Sequence, residues 1–203
     1  MNGDSYLFSF TALALRLNDT INFYKQWQGE PGQTESTVSA NSRVKSATST
    51  RQEREYLRRL SVLTPKQQTL LLSPDYDTAR QIAFLAVCKS YGFIRDFTLE
   101  VLRDKVQVFD YQLSEDDIHT FVRRKSLSHP ELENASETTR SKAVQVMLRI
   151  FEEAGFIDSA KNLTILPQLA GRDVVAAIAE DNPVWLKIFL YTDPEIQNLI
   201  NNL

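Results

Sequence analysis

The sequence predicts a mainly α protein, a helical bundle with winged helix-turn-helix-like modules and a small β-hairpin. Three observations predict it. Apolar residues recur at steps of three and four over most of the chain, which is the helical period. The runs stop at residues that end helices, such as Ser73-Pro74, Gly92 and His129-Pro130. Finally, Ser136-Glu-Thr-Thr-Arg-Ser-Lys142 opens an apolar-periodic run that closes at Glu153-Ala-Gly-Phe-Ile157, with Leu163-Thr-Ile-Leu-Pro167 beyond it. Ser136 reads as the cap of that helix, Gly155 as its end, and the following residues as a short hairpin tipped by Lys161.

Taken in order, Tyr6 to Trp27 has Leu13, Leu17, Ile21 and Tyr24 at helical spacing, interrupted near Asn18-Asp19, so one kinked helix or two short ones are expected. Gly29 to Thr50 holds nine Ser/Thr residues with Gly29, Pro31 and Gly32, too little apolar surface to offset ordering entropy, and reads as a loop or mobile linker. A basic helix is expected over 51–63, with Tyr56, Leu57, Leu60 and Leu63 on its apolar face. Thr64-Pro65 starts a short helix that stops at Ser73-Pro74. Asp77 to Tyr91 reads as a largely apolar helix ended by Gly92, and Asp96 to Val106 as an amphipathic one. Ser114 caps a helix with an acidic first turn that runs to about Lys125. Beyond the hairpin, helices are expected over 174–180, 183–190 and 193–203. The triplet Gly-Phe-Ile occurs at 92–94 and 155–157, each time after an apolar helix, and suggests two related modules. The division expected is an N-terminal helical domain, 1–110, and a C-terminal winged-helix-like domain, 111–203, with an acidic tail.

Composition narrows the function classes. At 203 residues with 42% hydrophobic and 24% charged residues, the chain has the make-up of a soluble globular protein, and its net charge of −3 argues against a uniformly basic nucleic-acid binder. The charge is uneven, however. Ala40 to Lys66 carries seven cations against Glu53 and Glu55, whereas Asp173 to Leu203 carries five carboxylates and one cation, Lys187. Cys88 lies in an apolar run and reads as a buried thiol, so no disulfide framework is expected. No run approaches the ~20 apolar residues of a membrane span, and the first residues do not read as a signal peptide, so the expected location is cytoplasmic. There is no Gly-x4-Gly-Lys-Ser/Thr phosphate loop and no zinc-ligand spacing among His119, His129 and Cys88. No enzyme activity, cofactor or metal is therefore expected.

What remains is recognition. In a winged helix-turn-helix the second helix enters the major groove and cations meet phosphates. Thr138, Arg140, Ser141 and Lys142 are the residues expected near the groove, and Arg43, Lys45, Arg51, Arg54, Arg58 and Lys161 those expected on phosphates. Taken singly, Thr138, Arg140 and Lys142 also suit a solvated helix start. Likewise Arg51 with Glu55, and Glu55 with Arg59, suit ordinary i,i+4 pairs on a wet face. Arg123-Arg-Lys125 is a further cationic cluster for the same surface.

Several segments also carry a family resemblance: Tyr6-Leu-Phe-Ser-Phe-Thr-Ala12, Thr48-Ser-Thr-Arg51 leading to Arg59-Leu60, and Ala86-Val-Cys-Lys-Ser-Tyr-Gly-Phe-Ile-Arg-Asp-Phe97 with Glu100-Val-Leu102. Phe121 to Lys125 with His129-Pro-Glu-Leu132, Thr139-Arg140-x-Lys142 and Glu153-Ala-Gly155 complete the pattern. The chain resembles the BrxA family of bacterial BREX phage-defence systems. That resemblance implies an all-helical protein with a small hairpin and helix-turn-helix-like modules, which binds double-stranded DNA and acts with other BREX proteins. The chain is also similar in outline to antitermination factors of the NusB type, which keeps RNA as an alternative ligand. A protein-interaction adaptor, docked through its acidic C-terminal region, is the reading from another class.

Overall fold

Side-chain caps set several helix starts in the computed structural model, which describes residues 6–28 and 47–203. Eleven α-helices lie among them: α1 Leu17–Gln28, α2 Ala47–Ser61, α3 Pro65–Leu71, α4 Tyr76–Ser90, α5 Gly92–Phe97, α6 Arg103–Gln107, α7 Glu115–Ser126, α8 Pro130–Glu133, α9 Glu137–Ala154, α10 Arg172–Asp181 and α11 Asp193–Asn201. Thr64, Ser114 and Thr192 form capping boxes with Gln67, Asp117 and Glu195, satisfying orphan donors from both directions. The Ser136 hydroxyl accepts from the Thr139 amide, and Gly155 ends α9 in the left-handed region, at φ +77°, where a side chain is disfavoured.

The structure departs from the sequence reading in several places. Where one kinked helix or two short ones are expected over Tyr6 to Trp27, the structure has a 3-10 turn, Ser9–Ala12, a non-helical stretch that is extended at Leu13 and left-handed at Arg16 (φ +45°), and then α1. Most of the expected linker lies outside the described residues, but α2 already begins at Ala47. Gly92 opens α5 and does not close α4, because only Tyr91 leaves the helical path between them. A Cβ at Gly92 would stand 3.3 Å from the Tyr6 ring, so close approach explains this glycine. The two Gly-Phe-Ile triplets therefore play opposite roles, one starting a helix and one following the end of another. A π-turn over Thr98–Leu102 joins α5 to α6 without a break.

The expected hairpin is not a strand pair. Residues 163–165 divide their bonding between two neighbours: Leu113 N–H donates to Leu163 O (3.0 Å) and Ile165 N–H to Tyr111 O (2.7 Å) on one side. On the other, Asp158 N–H donates to Thr164 O (3.0 Å) and Leu166 N–H to Phe156 O (2.9 Å). The result is two isolated antiparallel bridges, Gln112 with Thr164 and Ile157 with Ile165. The left-handed Leu163, at φ +59°, keeps the segment from extending into a ladder.

Helix α4 is buried on every side from Gln81 to Cys88, and α1, α2, α3, α5, α9 and α10 pack around it. Residues on both sides of position 110 share the core. Phe97 meets Phe121 edge-on at 5.0 Å and Phe151 at 5.6 Å, and Phe84 meets Phe156 at 4.2 Å. Burial pushes the Cys88 thiol up, which leaves it protonated and inert.

The acidic tail is held by cations of the first half. Lys66 bonds Glu180 (2.6 Å), Lys89 bonds Asp181 (2.6 Å) and Arg103 bonds Asp193 (2.8 Å). Burial works against ionisation of Asp181, but Lys89 and Gln67 outweigh it and hold the carboxyl below its ordinary range. Its stabilising contribution is therefore full above the unfolded pKa of about 3.9 and is lost as pH falls through the lower folded value. Asp181→Asn is expected to lower the urea midpoint at pH 7 but to match the parent protein near pH 2. A gap that is independent of pH would show that the charge of Asp181 is not what stabilises.

Candidate nucleic-acid interface

Helix α2 presents Arg51 and Arg54 outward because a polar network fixes its adjoining face. Glu55 and Arg59, expected on a wet face, are buried at 3% and 2% exposure. Arg59 donates to the carbonyls of Leu13 (2.5 Å) and Ala14 (2.7 Å), which belong to the non-helical stretch before α1. The Tyr91 hydroxyl accepts from Arg59 Nε (3.4 Å) and donates to Glu55, and the Ser9 hydroxyl also donates to Glu55 (3.1 Å). Burial pushes the Tyr91 phenol up to about 12, so it stays a donor. Arg58, part-exposed, donates to Ser9 Oγ (3.3 Å). Arg51, Arg54 and Arg58 thus share one side of α2 at steps of three and four. Arg43 and Lys45 lie outside the described residues.

Helix α9 packs on the same Ser9–Ala12 turn. Ala143, Met147, Ile150, Phe151 and Ala154 are its buried stripe, while Thr138, Ser141, Lys142, Gln145 and Arg149 are exposed. Arg140 is half-buried. With Ser141 it lines a groove of about 620 Å³ between α7 and α9, whose walls include Ile118, Val122, Val144 and Leu148 and whose rim carries Glu115 and Glu137. Val144 and Leu148, which the helical period assigns to the core stripe, are only partly covered there. Lys161 is exposed in the 158–162 loop, at the far end of α9, where Ala160 N–H reaches Glu152 Oε2 (3.4 Å).

A sequence model of the BrxA family matches residues 4–182. The chain belongs to the BrxA family. A curated relative, a BREX protein BrxA of Escherichia coli O9:H4 (strain HS), is 25% identical over 103 residues, 51% of this chain and 48% of that protein. The chain therefore spans about half the length of that BrxA relative in the match. A crystal structure of an uncharacterized protein from Magnetospirillum magneticum superposes with a TM-score of 0.78 at 19% identity, covering 92% of this chain and 98% of that one. It shows a shared fold.

In this BrxA-family chain the candidate residues fall into three places. Arg51, Arg54 and Arg58 lie together on α2, Thr138, Ser141 and Lys142 on the first turns of α9, and Lys161 alone on the loop. Two cations of the Arg123-Arg-Lys125 cluster are committed elsewhere: Lys125 bonds Asp96 (2.8 Å) and Glu100 (2.6 Å), and Arg124 bonds Glu100 (2.7 Å). Asp96 also accepts from the Tyr6 hydroxyl (2.7 Å), and the Tyr6 ring stacks on His129 at 3.6 Å. These contacts seat the N-terminal segment against α8 and are structural. The groove is absent from the sequence reading, which has Glu137 only as a polar position at the start of the Ser136 helix and Glu115 only in the acidic first turn after Ser114. The groove's signal was the pair of half-apolar stripes, Ile118-Val122 and Val144-Leu148, which look like core until the distance between the helices is known. Among the described residues, no group of three or more His, Cys, Asp or Glu is placed to hold a metal ion, and no helix is long and apolar enough to cross a membrane.

Proposed function

We propose that the protein is a non-enzymatic, cytoplasmic double-stranded-DNA-binding component of a bacterial BREX phage-defence system. It holds DNA mainly through phosphates, with weak sequence preference, and acts with other BREX proteins. The observation that carries this reading is the exposed cationic side of α2 together with the exposed polar first turns of α9, on two helices that both pack on the Ser9–Ala12 turn. The order of elements supports it: helix, bridged segment 111–113, α7, the single turn α8, α9 and a bridged return is the order of a winged helix with one added turn, in which α9 lies in the major groove. Thr138, Ser141 and Lys142 then face base edges, and Arg140 reaches the backbone from the groove rim.

Lys161 sits beyond Glu152, which lies about 21 Å along α9 from Thr138 at a rise of ~1.5 Å per residue. That separation exceeds the ~12 Å width of the major groove, so the two ends of α9 meet opposite backbones. With about five phosphates neutralised, by Arg51, Arg54, Arg58, Arg140 and Lys161, log affinity falls against log salt with a slope of about −4 to −5. Fluorescence anisotropy on a labelled duplex measures it, and a flat titration overturns the electrostatic reading. The adaptor reading is favoured by the glutamate-rimmed apolar groove, which suits protein better than phosphate. Retained assembly with BREX proteins in a variant that no longer binds DNA supports the first reading, and a wild type that assembles but binds no duplex supports the adaptor. Stronger competition by single-stranded RNA than by duplex DNA points to RNA.

A further inference from the structure

Val108 and Phe109, in the turn that follows α6, are consecutive apolar residues held in water, 71% and 81% exposed. Apolar residues scattered singly over a surface are ordinary. Here two stand together, and Phe109 has φ +60°, a region disfavoured for a residue with a Cβ. The turn neither buries the ring nor relaxes its backbone, so the fold gives no reason for a phenylalanine there. The turn is also rigid. The Lys105 carbonyl accepts from the Val108 and Asp110 amides (3.1 and 2.9 Å), and the Lys105 ammonium bonds Asp110 (2.6 Å) and Asp117 (3.1 Å). Beyond it, the Tyr111 carbonyl accepts from the Ile165 amide (2.7 Å). A ring fixed in this way loses little freedom when a partner covers it.

The surroundings of the turn are acidic. Asp104 and Lys105 of α6 and Asp116 and Asp117 of α7 line a hollow of about 250 Å³. Lys105 is a single charge divided between Asp110 and Asp117. Arg124, also in the lining, is taken by Glu100 (2.7 Å). Asp104 and Asp116 are exposed and form no ion pair among the described residues. Negative charge is therefore in excess on this face, and Asp104 and Asp116 are the part of it that the chain's own cations leave over.

That excess selects the occupant. It repels a phosphate backbone, and it repels the same face of a second copy in a two-fold pair. It attracts a basic protein surface. We propose that the Val108–Phe109 turn and the α6–α7 hollow form a docking face for a basic protein partner, the Phe109 ring filling an apolar pocket and Asp104 and Asp116 meeting lysines or arginines at its rim. A buried aromatic anchor within a charged, wetter margin is the usual division of labour at an interface. The inference rests on the reading that the chain acts with other BREX proteins, and it uses none of the residues proposed to hold DNA.

The probes are the other BREX proteins encoded with this chain, each purified, and biolayer interferometry on the immobilised full chain is the measurement. At least one is expected to bind the wild type, with an association rate that falls as salt rises. Phe109→Asn removes the ring at a position where Asn tolerates the backbone, and is expected to raise the dissociation rate at least about tenfold while leaving duplex affinity unchanged. Asp104→Asn with Asp116→Asn is expected to act differently, slowing association roughly three-fold or more and flattening its salt dependence, with less effect on dissociation. Circular dichroism checks both variants, and should one fail to fold, the other decides alone. Binding by no BREX protein overturns both the proposal and the reading that the chain acts with them, whereas binding that neither variant alters overturns the proposal alone. Loss of duplex affinity in Phe109→Asn with unaltered protein binding also overturns it, and makes the turn a nucleic-acid contact. Self-association of the free chain that Phe109→Asn abolishes makes a second copy the occupant and overturns it too.

Discussion

Replacing Arg59 with Ala is expected to destabilise the protein by about 3–5 kcal/mol, the range for leaving a buried charge uncompensated, because Arg59 and Glu55 are joined through the Tyr91 hydroxyl. The guanidinium is almost fully enclosed and donates to the Leu13 and Ala14 carbonyls and to the Tyr91 hydroxyl, which in turn holds Glu55. Alanine would leave two carbonyls without this donor and a carboxylate in the interior without its countercharge. Lysine keeps the charge but lacks the fork that spans two carbonyls and a phenol, so Arg59→Lys should fall between the two. Adding Glu55→Gln to the alanine variant should recover part of the loss, because the uncompensated charge is gone. Urea midpoints measure all three, and an Arg59→Ala variant within about 1 kcal/mol of wild type would show that the network does not hold the fold. Since Arg59 clamps α2 to the segment before α1, its loss also displaces the face that carries Arg51 and Arg54.

That network also marks where the sequence ceases to be readable. Arg51, Glu55 and Arg59 at i,i+4 spacing look the same whether the helix face is wet or dry. Burial depends on Leu13, Ala14 and Tyr91, which are far away in the chain. Helix ends are local, and there the sequence was explicit: Ser114, Ser136 and the Thr64-Pro65 pair each act through a side chain within three residues of the amide it caps, and Gly155 acts through its own φ. Gly92 was misread because its reason is the Tyr6 ring and not the end of α4. The hairpin was misread for a similar cause, since residues 163–165 find half their partners at 111–113, about fifty positions away. At the candidate site, the helical period identified the exposed Thr138 and Lys142. It could not reveal that Arg140 and Ser141 line a groove, because the gap between α7 and α9 is set by the packing of both.

The double variant Arg51→Ala, Arg54→Ala is expected to weaken duplex binding on the order of 100-fold, if each charge-assisted contact contributes about 1.5 kcal/mol. It should also make the log–log salt slope shallower by about 1.8, from two fewer released counterions. Both side chains are exposed on α2, and alanine favours a helix, so the fold should survive, which circular dichroism checks. The loss should be uniform across duplex sequences, because phosphates carry no base information. Arg140→Ala provides the contrast. Its side chain lines a groove whose rim carries Glu115 and Glu137, whose negative potential opposes a phosphate, so its loss should cost less than either α2 arginine. An Arg140 effect larger than that of the double variant would move the centre of binding onto α9. Unchanged affinity and slope in the double variant would remove α2 from the interface, leaving its cations as a solvated face.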